Sequence, residues 1–276
     1  MPSGALSPSR AGDFMTCPLL YRFRAIDRLP EAPSPAAVRG TVVHAVLERL
    51  FDLPPEQRSP AAAVELLAPE WDRLVTEEPG LLDLFSEDHD GAAFTAWMAE
   101  AQSLLASYFA LEDPTRLQPA ERELHVECEL ASGVRLKGYV DRLDIAPSGA
   151  VRVVDYKTGR APREQFEAKA MFQMRFYALV LWRTRGQVPA LLQLMYLGDR
   201  EILRYQPDEA DLLATERKIE ALWAAIARAT EAGDFRASPG PLCAWCDHQA
   251  LCPAFGGTPP PMPVLIPFAP ESPPLP

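Results

Sequence analysis

Asp155 and Lys157 stand two residues apart at the end of the apolar run Val151–Tyr156, and Asp141 lies in the alternating run before it. In an extended strand, residues two apart share a face, and a hairpin between the runs brings Asp141 beside Asp155. Two neighbouring carboxylates repel, so each tends to hold a proton unless a cation lies between them. A hard divalent ion such as Mg²⁺ or Mn²⁺ meets that need, because it accepts one or two carboxylates and keeps several waters. The Lys157 ammonium can stabilise an attacking hydroxide and the charge growing on a phosphate oxygen. Taken alone, Asp-x-Lys is also an ordinary salt bridge on a strand edge, so its surroundings carry the weight.

His44 sits mid-helix among Val42, Val43, Val46 and Leu47, and reads either as a packed core histidine or as a metal neighbour. Gln173 and Tyr177 are four apart and share one face of a helix that follows the Asp-x-Lys strand. From Lys157 to Arg185 seven basic residues face only Glu164 and Glu167, a balance of +5. Arg160, Arg163 and Arg175 in that stretch are candidate phosphate contacts, against the plainer reading of a solvated helix face. Cys243-x₂-Cys246-x₅-Cys252 is a compact ligand set, with Cys17 or His248 as the fourth member. Spacing alone fits zinc or an iron–sulfur cluster. Cys128 lies in an alternating run and reads as a small buried residue.

The elements that must position these residues follow from periodicity. Ser7-Pro8, Ser34-Pro35 and Ser59-Pro60 each pair an N-cap with proline at the first helical position. They open a short helix ending near Cys17, a helix through about Phe51 carrying His44, and a third helix. A fourth spans about Ala92–Leu111, so residues 52–118 read as a helical, acidic insertion. Period two then takes over in Glu121–Leu130, Val134–Ile145 and Val151–Tyr156, which read as an antiparallel meander. A helix over Arg163–Arg185, strands at Leu191–Leu197 and Glu201–Tyr205, and a helix from Pro207 to about Gly233 complete the core. Residues 1–256 read as one domain. Residues 257–276, with nine prolines, read as a disordered tail.

The pieces resemble, in type and order, the PD-(D/E)XK nuclease superfamily, and within it the RecB-like exonucleases, including AddB-type and Cas4-type members. The resemblance rests on Gly40-Thr41-Val42-Val43-His44, Gly138-Tyr139-Val140-Asp141-Arg142-Leu143-Asp144, Val153-Val154-Asp155-Tyr156-Lys157-Thr158-Gly159 and Gln173-Met174-Arg175-Phe176-Tyr177. It implies an α/β, restriction-endonuclease-like core, a central mixed sheet flanked by helices, with the helical insertion and a C-terminal cysteine cluster. By the same resemblance Asp141, Asp155, the Tyr156 carbonyl and His44 hold Mg²⁺ or Mn²⁺, Lys157 is catalytic, and Gln173 and Tyr177 border the site. Cys17-Pro18 and Cys252-Pro253 match a layout in which Cys17, Cys243, Cys246 and Cys252 bind a [4Fe–4S] cluster, with zinc the alternative. Such a cluster staples the two ends of the chain.

The expected activity is metal-dependent hydrolysis of DNA in repair or recombination, by an exonuclease working on ends or single strands. The competing reading is a non-catalytic DNA-end-binding subunit of a helicase–nuclease complex. A helicase partner is compatible with the absence of a G-x₄-G-K-[ST] loop. The net charge of −11 is opposite in sign to what phosphate contacts require. However, Glu56–Glu100 holds eleven acidic residues against Arg58 and Arg73, which leaves the remainder near neutral. We expect this insertion to lie away from the DNA or to screen it from duplex. Five cysteines without an apolar leader, and no membrane-length apolar run, suggest a cytoplasmic protein.

Overall fold

A computed structural model describes residues 4–163 and 167–263. All three Ser-Pro signals open helices: α1 (Pro8–Thr16), α3 (Pro35–Leu50) and α4 (Pro60–Glu65). At each, the serine hydroxyl accepts a hydrogen bond from the backbone N–H three residues on, at 3.1–3.3 Å. Between α1 and α3 run α2 (Pro18–Tyr21) and a π-helical turn, Arg22–Ile26. After α4 come α5 (Leu67–Glu77) and α6 (Ala92–Leu111). The strands are β1 (Glu121–Glu129), β2 (Arg135–Ile145), β3 (Val151–Lys157), β4 (Leu191–Tyr196) and β5 (Glu201–Tyr205). Helix α7 (Glu167–Arg185) joins β3 to β4, and α8 (Glu209–Ala232) follows β5. The expected start of α7 falls partly on residues 164–166, and most of the proline-rich segment on 264–276, outside the described residues. Among the described residues no helix is long and apolar enough to cross a membrane.

The sheet order is β1-β2-β3-β4-β5. β2 and β3 pair antiparallel, with Arg142 opposite Val154, and β4 and β5 pair antiparallel, with Leu194 opposite Leu203. β3 and β4 run parallel, with Asp155 opposite Leu194, and α7 supplies the crossover that a parallel pair requires. This is the mixed sheet flanked by helices that the resemblance implies. Where β3 and β4 end, the Gly198 N–H donates to the Gly159 carbonyl at 3.1 Å. A Cβ on Gly198 would lie 2.6 Å from that oxygen, so only glycine fits.

The chain divides into two compact units. The first comprises residues up to Ala32, Glu127–Lys137, and residues from Ala214 on. In it Leu6 bridges Leu136, Tyr21 stacks on Phe235, and Arg22 donates to the Pro260 carbonyl. The second comprises Pro33–Val126 and Gly138–Leu213.

In the second unit the acidic insertion contributes to the core. Ala63, Leu67, Trp71, Leu74, Trp97, Ala101, Leu105 and Tyr108 pack with Val42, Val43, Val46 and Leu47 of α3 and with Val154, Tyr156 and Met195 of the sheet. Full burial of each large apolar side chain contributes ~1.5–3 kcal/mol. Trp71, Phe85, Phe94 and Trp97 form one aromatic cluster, with centroids 5.1–6.0 Å apart. Most of the insertion's acidic residues are exposed, but Glu70 is buried beside Arg49 and Arg73. The insertion's two ends are tied by Arg58, only 3% exposed, which donates to the carbonyls of Leu53 (2.8 Å), Leu117 (2.6 Å) and Pro114 (3.2 Å).

Candidate active site

Asp141, Asp155 and Lys157 come together through the antiparallel register of β2 and β3, since Asp141 and Asp155 are the next residues beyond the Arg142–Val154 pair. The opposite face of the same strands is fastened by Arg142, 1% exposed. It donates to the Tyr156 hydroxyl at 2.7 Å and pairs with Glu112 at 2.8 Å and Asp144 at 3.2 Å. Alternation along the strands thus puts the buried ion network on one face and the candidate chemistry on the other. The Tyr156 N–H donates to Asp141 Oδ2 at 2.7 Å, joining the two strands at the site.

His44 reaches this point from α3, with Nδ1 3.4 Å from Asp141 Oδ2. One turn earlier, Gly40 faces Thr158, and a Cβ there would sit 3.3 Å from Thr158 Oγ1. The glycine lets the helix lie against the end of β3, which accounts physically for the Gly-x-x-x-His spacing. Burial pushes the His44 imidazole below its usual pKa, and Lys157 adds to this. The Asp155 charge and a hydrogen bond with the Tyr156 backbone oppose it.

Asp155 is 1% exposed. Its Oδ1 accepts from Gln173 Nε2 at 2.9 Å, and its Oδ2 lies 2.6 Å from Lys157 Nζ. That Oδ2 contact is an ion pair without hydrogen-bond geometry. Lys157 Nζ donates to Gln173 Oε1 at 2.9 Å, and Gln173 Nε2 also reaches the Tyr177 hydroxyl at 2.9 Å. The one-face placement of Gln173 and Tyr177 on α7 is therefore observed, and their amide and phenol form a row with Asp155 and Lys157. Burial raises the Tyr177 pKa, which keeps the phenol protonated.

Glu123 is a member of the site that sequence reasoning missed. Among the described residues, His44, Glu123 and Asp141 are the one group of three or more His, Cys, Asp or Glu whose ligand atoms lie within 4.8 Å of one another. Asp155 stands beside this trio, close enough for its charge to act on all three members. Glu123 has a left-handed backbone, φ +44°, inside β1. For a non-glycine residue this costs ~1–3 kcal/mol, and such strain concentrates where a side chain is re-aimed for function. Burial pushes the Glu123 carboxyl up to about 7, with Glu48 and Asp155 adding to it. Burial and the Asp155 charge hold Asp141 well above the ordinary carboxylate range. Three crowded acids and an imidazole kept neutral form a donor set that a divalent cation would satisfy.

The three arginines take different places. Arg160 and Arg163 are exposed in the segment after β3. Arg175 instead lies over the Tyr205 ring, 4.3 Å from its centroid. Two positions from Gln173 on a helix, it points to another side of α7.

Cys17, Cys243, Cys246 and Cys252 all belong to the first unit. Cys17 lies between α1 and α2, and its Sγ accepts the Ser238 N–H at 3.4 Å. Cys243 Sγ accepts the Gly240 N–H at 3.3 Å. Burial pushes the Cys246 thiol up, and the charges of Cys243, Cys17 and Cys252 add to the effect. His248 is 3% exposed, and its Nε2 is engaged by Glu31 at 2.8 Å.

The chain is similar to several known proteins. Gene 69 protein of Mycobacterium phage L5 is 27% identical over 90% of this chain and 96% of its own length. Gene 69 protein of Mycobacterium phage D29 is 25% identical with the same coverage. A crystal structure of a candidate exonuclease from Eubacterium rectale superposes with a TM-score of 0.59 at 16% identity, over 88% of this chain and 87% of that one, a likeness of fold. The family model of the PD-(D/E)XK nuclease superfamily matches residues 5–253. Matched over nearly all its described length, the chain belongs to the PD-(D/E)XK nuclease superfamily.

Proposed function

We propose that this protein is a divalent-metal-dependent DNA exonuclease of the RecB-like branch, acting in repair or recombination. The observation that carries the reading is the convergence of His44, Glu123 and Asp141 beside the Asp155–Lys157–Gln173 row. Asp141, Asp155, Glu123, His44 and the Tyr156 carbonyl would hold Mg²⁺ or Mn²⁺. The ion would supply Lewis-acid polarisation of the phosphate and acidify water. Within the chain, Lys157 places a positive charge where negative charge builds on the phosphate. Gln173 holds Lys157 and Asp155 at fixed spacing, and Tyr177 fixes the amide of Gln173. Arg160 and Arg163, both exposed, would meet backbone phosphates. A partner helicase is the natural source of unwound strands.

The cysteine set Cys17, Cys243, Cys246 and Cys252 would hold a [4Fe–4S] staple, with zinc the alternative; what supports the cluster is the likeness of Cys17-Pro18 and Cys252-Pro253 to the layout of cluster-bearing RecB-like nucleases. Its loss would loosen the first unit, as metal binding couples to folding.

The test uses protein purified without oxygen, as wild type and Lys157→Ala, on end-labelled linear DNA and on covalently closed circles. Exonuclease action predicts metal-dependent release of label from linear DNA by the wild type alone, with circles intact. Cleaved circles would make it an endonuclease. Absence of cleavage with the cluster present would favour a DNA-end-binding subunit.

A further inference from the structure

Tyr139 is 58% exposed, an unusual setting for a large aromatic ring in a regular strand. It lies two residues before Asp141 in β2, and therefore on the same sheet face, about 6.6 Å further along the strand. His125 of β1, also exposed, packs against it with ring centroids 5.0 Å apart and planes tilted by 51°. A cross-strand ring pair contributes ~0.2–1 kcal/mol to the sheet, and Tyr139 still leaves more than half of its surface to solvent. Both belong to the same compact unit as His44, Glu123, Asp141 and Asp155.

We infer that Tyr139, supported by His125, is a stacking platform for an unpaired nucleobase next to the scissile phosphate, so that the site takes its substrate as a single strand. This rests on the nuclease reading above. A strand whose phosphate reaches Asp141 must continue across the neighbouring surface. The distance from Asp141 to Tyr139 is comparable to one nucleotide step of an extended strand. In a duplex the base faces cover one another and offer nothing to a side chain standing on a sheet. An unpaired base offers a π-face of any sequence, and stacking on it is sequence-tolerant. His125 limits the rotation of the Tyr139 ring and so lowers the entropy lost on stacking.

The test measures binding of a fluorescein-labelled oligothymidylate, and of a duplex of equal length, in a Lys157→Ala background that does not cleave. Tyr139→Ala is expected to weaken single-strand binding by roughly five- to 150-fold. Tyr139→Phe, which keeps the ring, is expected to stay within about twofold. Duplex binding is expected not to change. Equal single-strand affinity for Tyr139→Ala and its parent would overturn the platform. Equal losses for Phe and Ala would overturn it too, assigning the effect to the hydroxyl. A wild type that degrades duplex but does not bind the single strand would overturn this inference and leave the nuclease reading standing. Equal cleavage by wild type and Lys157→Ala would instead remove the reading on which it rests.

Discussion

The side-chain amide of Gln173 donates to the buried carboxylate of Asp155 at 2.9 Å, so a helix residue sets the orientation of a strand acid. The same side chain accepts from Lys157. Gln173 thus acts as a positioning residue, and its removal should leave both charged groups present but misaligned. We predict that Gln173→Ala lowers kcat about 10- to 100-fold. KM for a single-stranded substrate and the thermal midpoint should change little. A loss confined to KM would contradict the assignment.

Glu123 provides a pH signature. In the metal-free folded protein it keeps its proton up to about 7, whereas the unfolded chain releases it near 4.5. The folded state binds more protons in that window, so this contribution to stability is lost as pH rises through it. Asp141 shifts in the same direction. His44, with its pKa lowered, acts oppositely, costing stability as pH falls below 6.5. The Glu123 effect is isolated by comparing thermal midpoints of the wild type and Glu123→Gln without metal. The wild type should fall relative to the variant as pH rises from 4.5 to about 7, and Mn²⁺ should close the gap. Parallel curves would contradict the shift.

Gly40 and Thr158 set the distance between the histidine helix and the active strand. A Cβ at Gly40 would come within 3.3 Å of Thr158 Oγ1, so something must yield by a few tenths of an ångström. Gly40→Ala should lower kcat roughly tenfold with a modest stability change, because small misplacements of reacting groups are costly. Adding Thr158→Ala should recover most of the loss, and a double-mutant cycle measures the coupling. Additive losses would mean that the two positions act independently.

Arg58 should matter for stability alone. Its guanidinium satisfies the carbonyls of Leu53, Pro114 and Leu117 in the interior. Arg58→Met strands those acceptors, at a cost of about 1–3 kcal/mol each when uncompensated. Urea unfolding should show a loss of about 3 kcal/mol or more, with the activity of the remaining folded fraction unchanged.

Much of the site was legible because it follows from short-range geometry. Asp155-x-Lys157 and Asp141 need only strand alternation and a hairpin, and Gln173 with Tyr177 needs only the helical period. Glu123 was not legible. It sits in an alternating run with Glu121, Glu127 and Glu129, and nothing in that run distinguishes it from them; its left-handed backbone, φ +44°, is visible only in the structure. The basic stretch was legible only as a count. Its count of charges hides helix phase, and Arg175 ends over Tyr205. The acidic insertion gave a similar difficulty. Its acidic excess stands out in the sequence, yet Trp71 and Trp97 face inward, and only the position of α3 shows what they cover.

The central claim is that Lys157 and the neighbouring acids form a metal-dependent phosphodiesterase site. It is tested most directly by single-turnover cleavage of single-stranded DNA by wild type and Lys157→Ala, with Mg²⁺ and with chelator. The account predicts cleavage by the wild type that chelator abolishes, and a rate for the variant lower by about 10²–10³-fold. Equal rates for the two proteins, or cleavage indifferent to chelation, would contradict it.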